Sequence, residues 1–432
     1  MFINVVTVLG ANGTMGKNVA GIFASFGQCK VYLACRTIEK ANKAKEEAIN
    51  SVRAESIKDN LVPIAYNDLE KAIKESDLIF ESLTENFEIK TDMYKKIKNY
   101  LKKDAIISSG TSGLSIQELS KVFDDKSLNF FGIHMFNPPY NLTLCELIIH
   151  DSKQEEEANE LEDYLRKQLK RTVIKVKDRP AFLGNRIGFF FINEALKLAY
   201  ENMDEGGVDY IDSILGCFTG RNMAPLRTAD FVGLDISKAI IDYIYMKSND
   251  IFKDSFELPE YINELVKDGR IGEKSKKGLF YVNEDNKINY VYDIKTNVYR
   301  LKNKYEFYFS NEMIKNIKKG NYEKAINILL NDQSHEAVIC KKMILKYLIY
   351  SIYITKEVAY DINSCDDAMV TGFSWLPPIA WIDLLGGKDK IIELTKKHLE
   401  ENWQNIVEKE TFFKDVPSKS KYDYRQFLKA KY

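Results

Sequence analysis

Residues 5–16, VVTVLGANGTMG, set a run of mostly β-branched residues directly before three glycines, and a helix-forming stretch follows. The run reads as a buried strand, the glycines as a tight turn, and Met15 to about Phe26 as a helix. A strand that turns through glycines into a helix start brings unpaired N–H groups to the surface with no side chain to block them, which suits a phosphate. Gly10, Gly13 and Gly16, with Asn12, Thr14 and Met15 between them, are therefore candidates to hold the pyrophosphate of a dinucleotide. The spacing is GxxGxxG rather than the usual GxGxxG, so Asn12 counts as an extra residue. A strand-to-helix turn without ligand is the competing account.

The end of the second strand bears on the choice of dinucleotide. An acid there hydrogen-bonds the ribose 2′-OH of NAD. This chain instead reads Cys35-Arg36-Thr37, with Lys40 close behind. Two cations and a hydroxyl suit a 2′-phosphate that a carboxylate would repel. The expected cofactor is NAD or NADP, with Arg36, Thr37 and Lys40 favouring NADP; a solvated Arg36 is the plainer alternative.

Further strands are expected at 30–34, 61–67, 77–82, 105–110 and 130–136, with Lys/Glu-rich helices over 39–50 and 88–101. The alternation predicts an α/β, doubly wound, Rossmann-like parallel sheet over residues 1–179, closed by Pro180. From there the pattern changes to long apolar helices, as in NRIGFFFINEALKLAY (185–200), giving an all-α domain over 180–282. Residues 283–340 read as a connector with a hairpin at 288–301. Residues 341–432 read as a second helical domain. Both helical blocks run helix, glycine-containing turn, proline, helix, and Pro225 stands as far before Asp230 as Pro378 before Asp383. A tandem repeat explains this; two hairpins sharing turn chemistry would also do so.

Of the 432 residues, 62 are Lys or Arg and 63 Asp or Glu, so no long-range field draws in nucleic acid or anionic lipid. No segment approaches ~18 continuous apolar residues, and no membrane span is expected. Six scattered cysteines without CxxC spacing read as reduced thiols in a cytoplasmic protein, and no metal site is expected.

Three more segments carry chemistry: SSGTSGLSIQEL (108–119), FFGIHMFNPPYNLTLCELIIH (130–150) and DRPAFLGNRIGFFFINEAL (178–196). With VLGANGTMG and FESLTENFEIK (80–90), they resemble the L-3-hydroxyacyl-CoA dehydrogenase family, in order, from residue 5 to about 282. The most telling element is His134-x-x-Asn137-Pro138 followed by Glu146. Oxidising a secondary alcohol needs a base for the hydroxyl proton while hydride leaves. A histidine braced by a carboxylate serves, and His134 and Glu146 meet if their segments form neighbouring strands. The resemblance implies that His134 is the general acid/base and Glu146 its partner. It also implies that Ser112 and Asn185 bond the reacting end of the substrate, and that Glu85, Lys90 and Asn137 lie near the nicotinamide half of the cofactor. His150, His335 and His398 are each assigned to solvated faces, and Phe189–Phe191 most simply to core packing.

The resemblance thus implies NAD(P)-dependent interconversion of (3S)-3-hydroxyacyl-CoA and 3-oxoacyl-CoA in fatty acid metabolism. The substrate would be a small-molecule acyl-CoA, with other β-oxidation enzymes as potential partners and a monomer or homodimer as the state. Gly110 and Gly113 depart from the family's side chains near the active centre, and the segment 38–60 is short where relatives help to hold the CoA nucleotide. Those departures keep two alternatives: a hydroxy-acid dehydrogenase acting on a non-CoA substrate, and a non-catalytic dinucleotide-binding subunit.

Overall fold

The computed structural model describes residues 2–282 and 288–430, so residues 283–287 of the expected connector lie outside the described residues. Two compact units emerge: Met1–Phe182 with Val358–Asp361, and Leu183–Glu357 with Ile362–Tyr432.

The first unit is built on an eight-stranded sheet. Its strands are β1 Val5–Leu9, β2 Lys30–Cys35, β3 Leu61–Ala65, β4 Leu78–Glu81, β5 Ile106–Ser109, β6 Phe130–Met135, β7 Leu144–Ile149 and β8 Thr172–Lys177. The spatial order is β3-β2-β1-β4-β5-β6-β7-β8. The helices α1 (Thr14–Ser25), α2 (Ile38–Val52), α3 (Leu69–Glu75), α4 (Phe87–Ile97), α5 (Ile116–Ser120) and α6 (Glu155–Lys167) lie between strands in sequence. Near-continuous apolar runs such as Val6, Val8 and Leu9 are buried, as strands covered on both faces require. The sheet is not parallel throughout. β7 pairs antiparallel with β6, and β8 runs parallel to β7. Residues 136–143 are too few for a crossover, which needs roughly a dozen or more residues, so the chain turns straight back.

Strand order reverses between β1 and β4, which both pair parallel within the sheet. The carboxyl ends of strands at such a switch point open a crevice where ligands bind. The β8 edge is finished by the distant segment Val358–Asp361: Ala359 bridges Val176 antiparallel, and the Tyr360 N–H donates to the Lys175 carbonyl at 3.4 Å.

The second unit is mostly helical: α7 (Gly184–Glu201), α8 (Val208–Ile214), α9 (Pro225–Val232), α10 (Leu234–Lys247) and α11 (Glu260–Lys267), then α12 (Tyr308–Lys318), α13 (Tyr322–Asn331), α14 (His335–Val358), α15 (Ser364–Ala368), α16 (Pro378–Leu384), α17 (Lys388–His398) and α18 (Glu401–Val407). A small antiparallel sheet, β9 (Phe280–Val282), β10 (Ile288–Asp293) and β11 (Val298–Leu301), precedes α12. The α14 helix runs through residue 340, where the sequence suggested a boundary. Phe189–Phe191 are buried core: Phe190 stacks on Tyr350 at 4.0 Å, and Phe191 meets Tyr347 and Trp375 edge-on.

His398 departs from its expected solvated face. It is buried with Ile391, Leu394 and Thr395 along one stripe of α17. Burial first, then the nearby Lys341 and Lys397, push its imidazole down to about 4.

Candidate active site

The glycine turn sits at the switch point. Gly10 has φ +75°, and a Cβ there would lie 2.5 Å from the Ser82 carbonyl oxygen. A Cβ at Gly16 would lie equally close to the Gly10 oxygen. The fold itself therefore demands these two glycines. Gly13 is different: its φ is −72°, and an added Cβ would find its nearest protein atom at an ordinary 3.4 Å. Gly13 is the N-cap of α1, no side chain caps that end, and its first turn (Thr14, Met15 onward) carries no acid. A helix start left uncapped behind an unhindered glycine fits a pyrophosphate.

The neighbouring strand ends are fixed by register. Leu9 pairs with Ala34 and Cys35 with Ala65, so Gly10, Cys35-Arg36 and Tyr66 follow one another along the carboxyl edge. The Cys35 thiol is buried, which pushes it up, and the Asn12 N–H faces it. The extra loop residue thus packs against the position where an acid was expected. Arg36, Thr37 and Lys40 are exposed. The Thr37 hydroxyl accepts from the Lys40 N–H at 3.4 Å and N-caps α2, a structural task beside any ligand role. Tyr66, not singled out from sequence, lies beside the Gly10 backbone, and burial pushes its phenol up to about 12.

Beyond β4 a buried carboxylate organises the next stretch. Glu81 accepts from Lys90 Nζ (2.7 Å), Tyr94 OH (2.8 Å), Ser109 Oγ (2.7 Å) and the Leu83 N–H. The Lys90 ammonium, 1% exposed, also lies 3.3 Å from Glu85 Oε2. Glu85 in turn accepts from the Thr111 hydroxyl and from the Ser112 N–H at 2.9 Å. Glu85, Lys90 and Ser112 therefore form one network, and its hub was missed. The available signal was an acid inside an otherwise apolar strand run, a residue type almost never fully buried unless paired. Asn137 is tied to α1: its Oδ1 accepts from Asn18 Nδ2 at 3.3 Å, and the Tyr140 hydroxyl donates to Asn18 Oδ1.

β6 runs parallel to β5, so His134 near its end reaches the same edge of the sheet. The reversal at β7 sets Glu146 directly opposite it. Nδ1 of His134 lies 2.7 Å from Oε2 of Glu146, with the carboxylate fully buried and the imidazole 8% exposed. The ring is flanked by Phe136 and Phe182, with centroids 4.7 and 5.8 Å away. An ionised carboxylate only accepts, so in the neutral ring Nδ1 carries the proton and Nε2 keeps its lone pair. Asn185 belongs to the second unit, buried in the first turn of α7. Among the described residues no group of His, Cys, Asp or Glu is arranged to hold a metal ion, and no helix is long and apolar enough to cross a membrane.

Residues 5–179 match the family described as 3-hydroxyacyl-CoA dehydrogenase, NAD binding domain, and residues 182–282 match the 3-hydroxyacyl-CoA dehydrogenase, C-terminal domain. A protein of Deinococcus radiodurans named "Probable 3-hydroxyacyl-CoA dehydrogenase" is 30% identical over 305 residues, covering 66% of this chain and 85% of that protein. A Bacillus subtilis (strain 168) protein of the same name is 30% identical over 387 residues, covering 88% of this chain and 47% of its own length. The chain thus spans about half the length of the longer curated relatives it matches. The crystal structure of 3-hydroxybutyryl-CoA dehydrogenase from Escherichia coli K12 shares the fold with a TM-score of 0.69 at 18% identity, over 93% of this chain and 96% of that one. With an NAD-binding domain followed by the matching helical domain, the chain belongs to the 3-hydroxyacyl-CoA dehydrogenase family.

Proposed function

We propose that the chain interconverts (3S)-3-hydroxyacyl-CoA and 3-oxoacyl-CoA with a nicotinamide cofactor, in fatty acid oxidation. The observation that carries this reading is the buried His134–Glu146 pair at the carboxyl edge of a nucleotide-binding sheet. In the oxidative direction Nε2 of His134 takes the proton from the substrate hydroxyl, and Glu146 fixes the ring and stabilises the charge it gains. Bound NAD(P)+ supplies the hydride acceptor. The α1 start with Gly13 would hold the pyrophosphate, and the Glu85–Lys90 network and Asn137 would border the nicotinamide half. Ser112 and Asn185 would orient the reacting carbon through its oxygen.

The second helical block is read as a second copy of the first. In both, a buried aspartate accepts from the N–H just after a helix-starting proline: Asp212 from Leu226 (2.8 Å) after Pro225, and Asp366 from Ile379 (2.8 Å) after Pro378. Such a copy would satisfy within one chain the apolar face that a partner subunit would otherwise cover, giving a monomer or a homodimer through another surface. Hydration and thiolysis of the acyl chain would fall to other chains or to segments outside this one. Six free, buried cysteines suit a reducing, cytoplasmic setting.

The test is reduction of acetoacetyl-CoA, followed at the nicotinamide absorbance band. Turnover that disappears in His134→Gln while the cofactor still binds is the expected result. Turnover unaffected by that change would overturn the reading.

A further inference from the structure

The end of β2 lacks the acid that would bind a free ribose hydroxyl, and what stands there is positively charged. By register, Gly10, Arg36 and Tyr66 stand at adjacent strand ends, within reach of whatever leaves the glycine turn toward β2. Arg36 and Lys40 are exposed, and among the described residues neither has a carboxylate at ion-pair distance. Cys35 is turned into the protein, its thiol facing the Asn12 N–H, and offers nothing to a ribose. The extra residue in the turn and the missing acid therefore belong to one local rearrangement, in which the Asn12 N–H meets the Cys35 thiol.

We propose that Arg36 and Lys40, with the Thr37 hydroxyl, form a 2′-phosphate subsite, which makes NADP(H) the preferred cofactor of this chain. The proposal rests on the reading that the glycine turn binds a dinucleotide. A guanidinium presents paired donors to phosphate oxygens, and Arg36 is the residue that sets the preference. Lys40 adds a second charge from the first turn of α2, whose N-terminus itself favours an anion. One acid shares this corner. The exposed Glu39 carboxylate accepts from its own N–H and from the Thr37 hydroxyl, which hold it below its ordinary range. A phosphate arriving here displaces that carboxylate from Thr37, so Glu39 weakens the preference without abolishing it.

Binding of 2′,5′-ADP and 5′-AMP to the full chain, measured by calorimetry, tests this without any turnover. The expected result is about tenfold or tighter binding of 2′,5′-ADP, equivalent to one or more charge-assisted contacts. Arg36→Ala should erase that difference while 5′-AMP binds as before, and Glu39→Gln should widen it. The ratio of kcat/KM for NADPH and NADH should follow the same order across the variants. Equal affinity for the two nucleotides, or a preference that survives Arg36→Ala, overturns the proposal. A preference for 2′,5′-ADP in a chain that does not reduce acetoacetyl-CoA would support it and overturn only the catalytic reading above.

Discussion

His134 and Glu146 face each other across the antiparallel β6–β7 pair, ring nitrogen 2.7 Å from carboxylate oxygen, and both are withdrawn from solvent. The carboxylate fixes which imidazole nitrogen is left to accept a proton. Glu146→Gln keeps the shape but can present its amide N–H₂ to Nδ1 and favour the wrong tautomer. By analogy with other carboxylate-braced histidines, kcat should fall about 10²- to 10⁴-fold, with cofactor affinity unchanged by equilibrium dialysis. Wild-type rates in that variant would remove Glu146 from the chemistry.

Two of the three glycines of the turn, Gly10 and Gly13, should separate by experiment. Gly10→Ala forces a side chain against the Ser82 carbonyl at φ +75° and should lower stability in urea unfolding. Gly13→Ala meets no such contact and should cost less stability than Gly10→Ala, the modest loss of a poorer N-cap residue, yet bind nucleotide far more weakly. Equal nucleotide affinity in Gly13→Ala would mean that the turn is merely a turn.

Lys90 is held between Glu81 and Glu85 with almost no exposure. Lys90→Met leaves the Glu81 carboxylate buried without its cation and should cost about 3–5 kcal/mol in denaturant titration. The double variant Glu81→Gln, Lys90→Met removes both charges and should recover a large part of that loss.

Asp212 and Asp366 should behave alike if the two helical blocks are copies. Each accepts the N–H of the residue next to the proline that starts a helix. Replacing either by Ala should cost about 1–2 kcal/mol or more, the scale of a lost helix cap. A large cost at one and none at the other would argue against duplication.

His398 supplies an acid-side prediction. Its folded value of about 4 lies below the ordinary 6.5, so the native state keeps it neutral where the unfolded chain binds a proton. That contribution to stability is complete above about pH 6.5 and is lost as pH falls toward 4. His398→Leu should therefore show a shallower decline of Tm across that window than the parent. Parallel declines would show that His398 does not titrate with unfolding.

What the chain spells out locally was readable, and what depends on pairing between distant segments was not. The β1 turn into α1 follows from glycines and a β-branched run. The His134–Glu146 pair followed from its motif and from the assumption that two apolar runs become neighbours. Their antiparallel sense was hidden because strand periodicity carries no direction; only the short link 136–143 betrays it. Tyr66 joined the nucleotide corner through register with β2, which no local pattern reveals. Glu81 looked like one acid among many until its four donors were in view. The expected solvated face for His398 failed because the Lys-rich surroundings of α17 masked a buried stripe at 391, 394, 395 and 398.

The short return of Val358–Asp361 to the β8 edge has a consequence for biosynthesis. As the polypeptide leaves the ribosome, β1 to β8 are all available long before residue 361 emerges, so the nascent sheet waits with a bare rim of backbone donors and acceptors. During that interval the rim is open to pairing with foreign strands, and a chaperone that shields it would raise the yield of native protein.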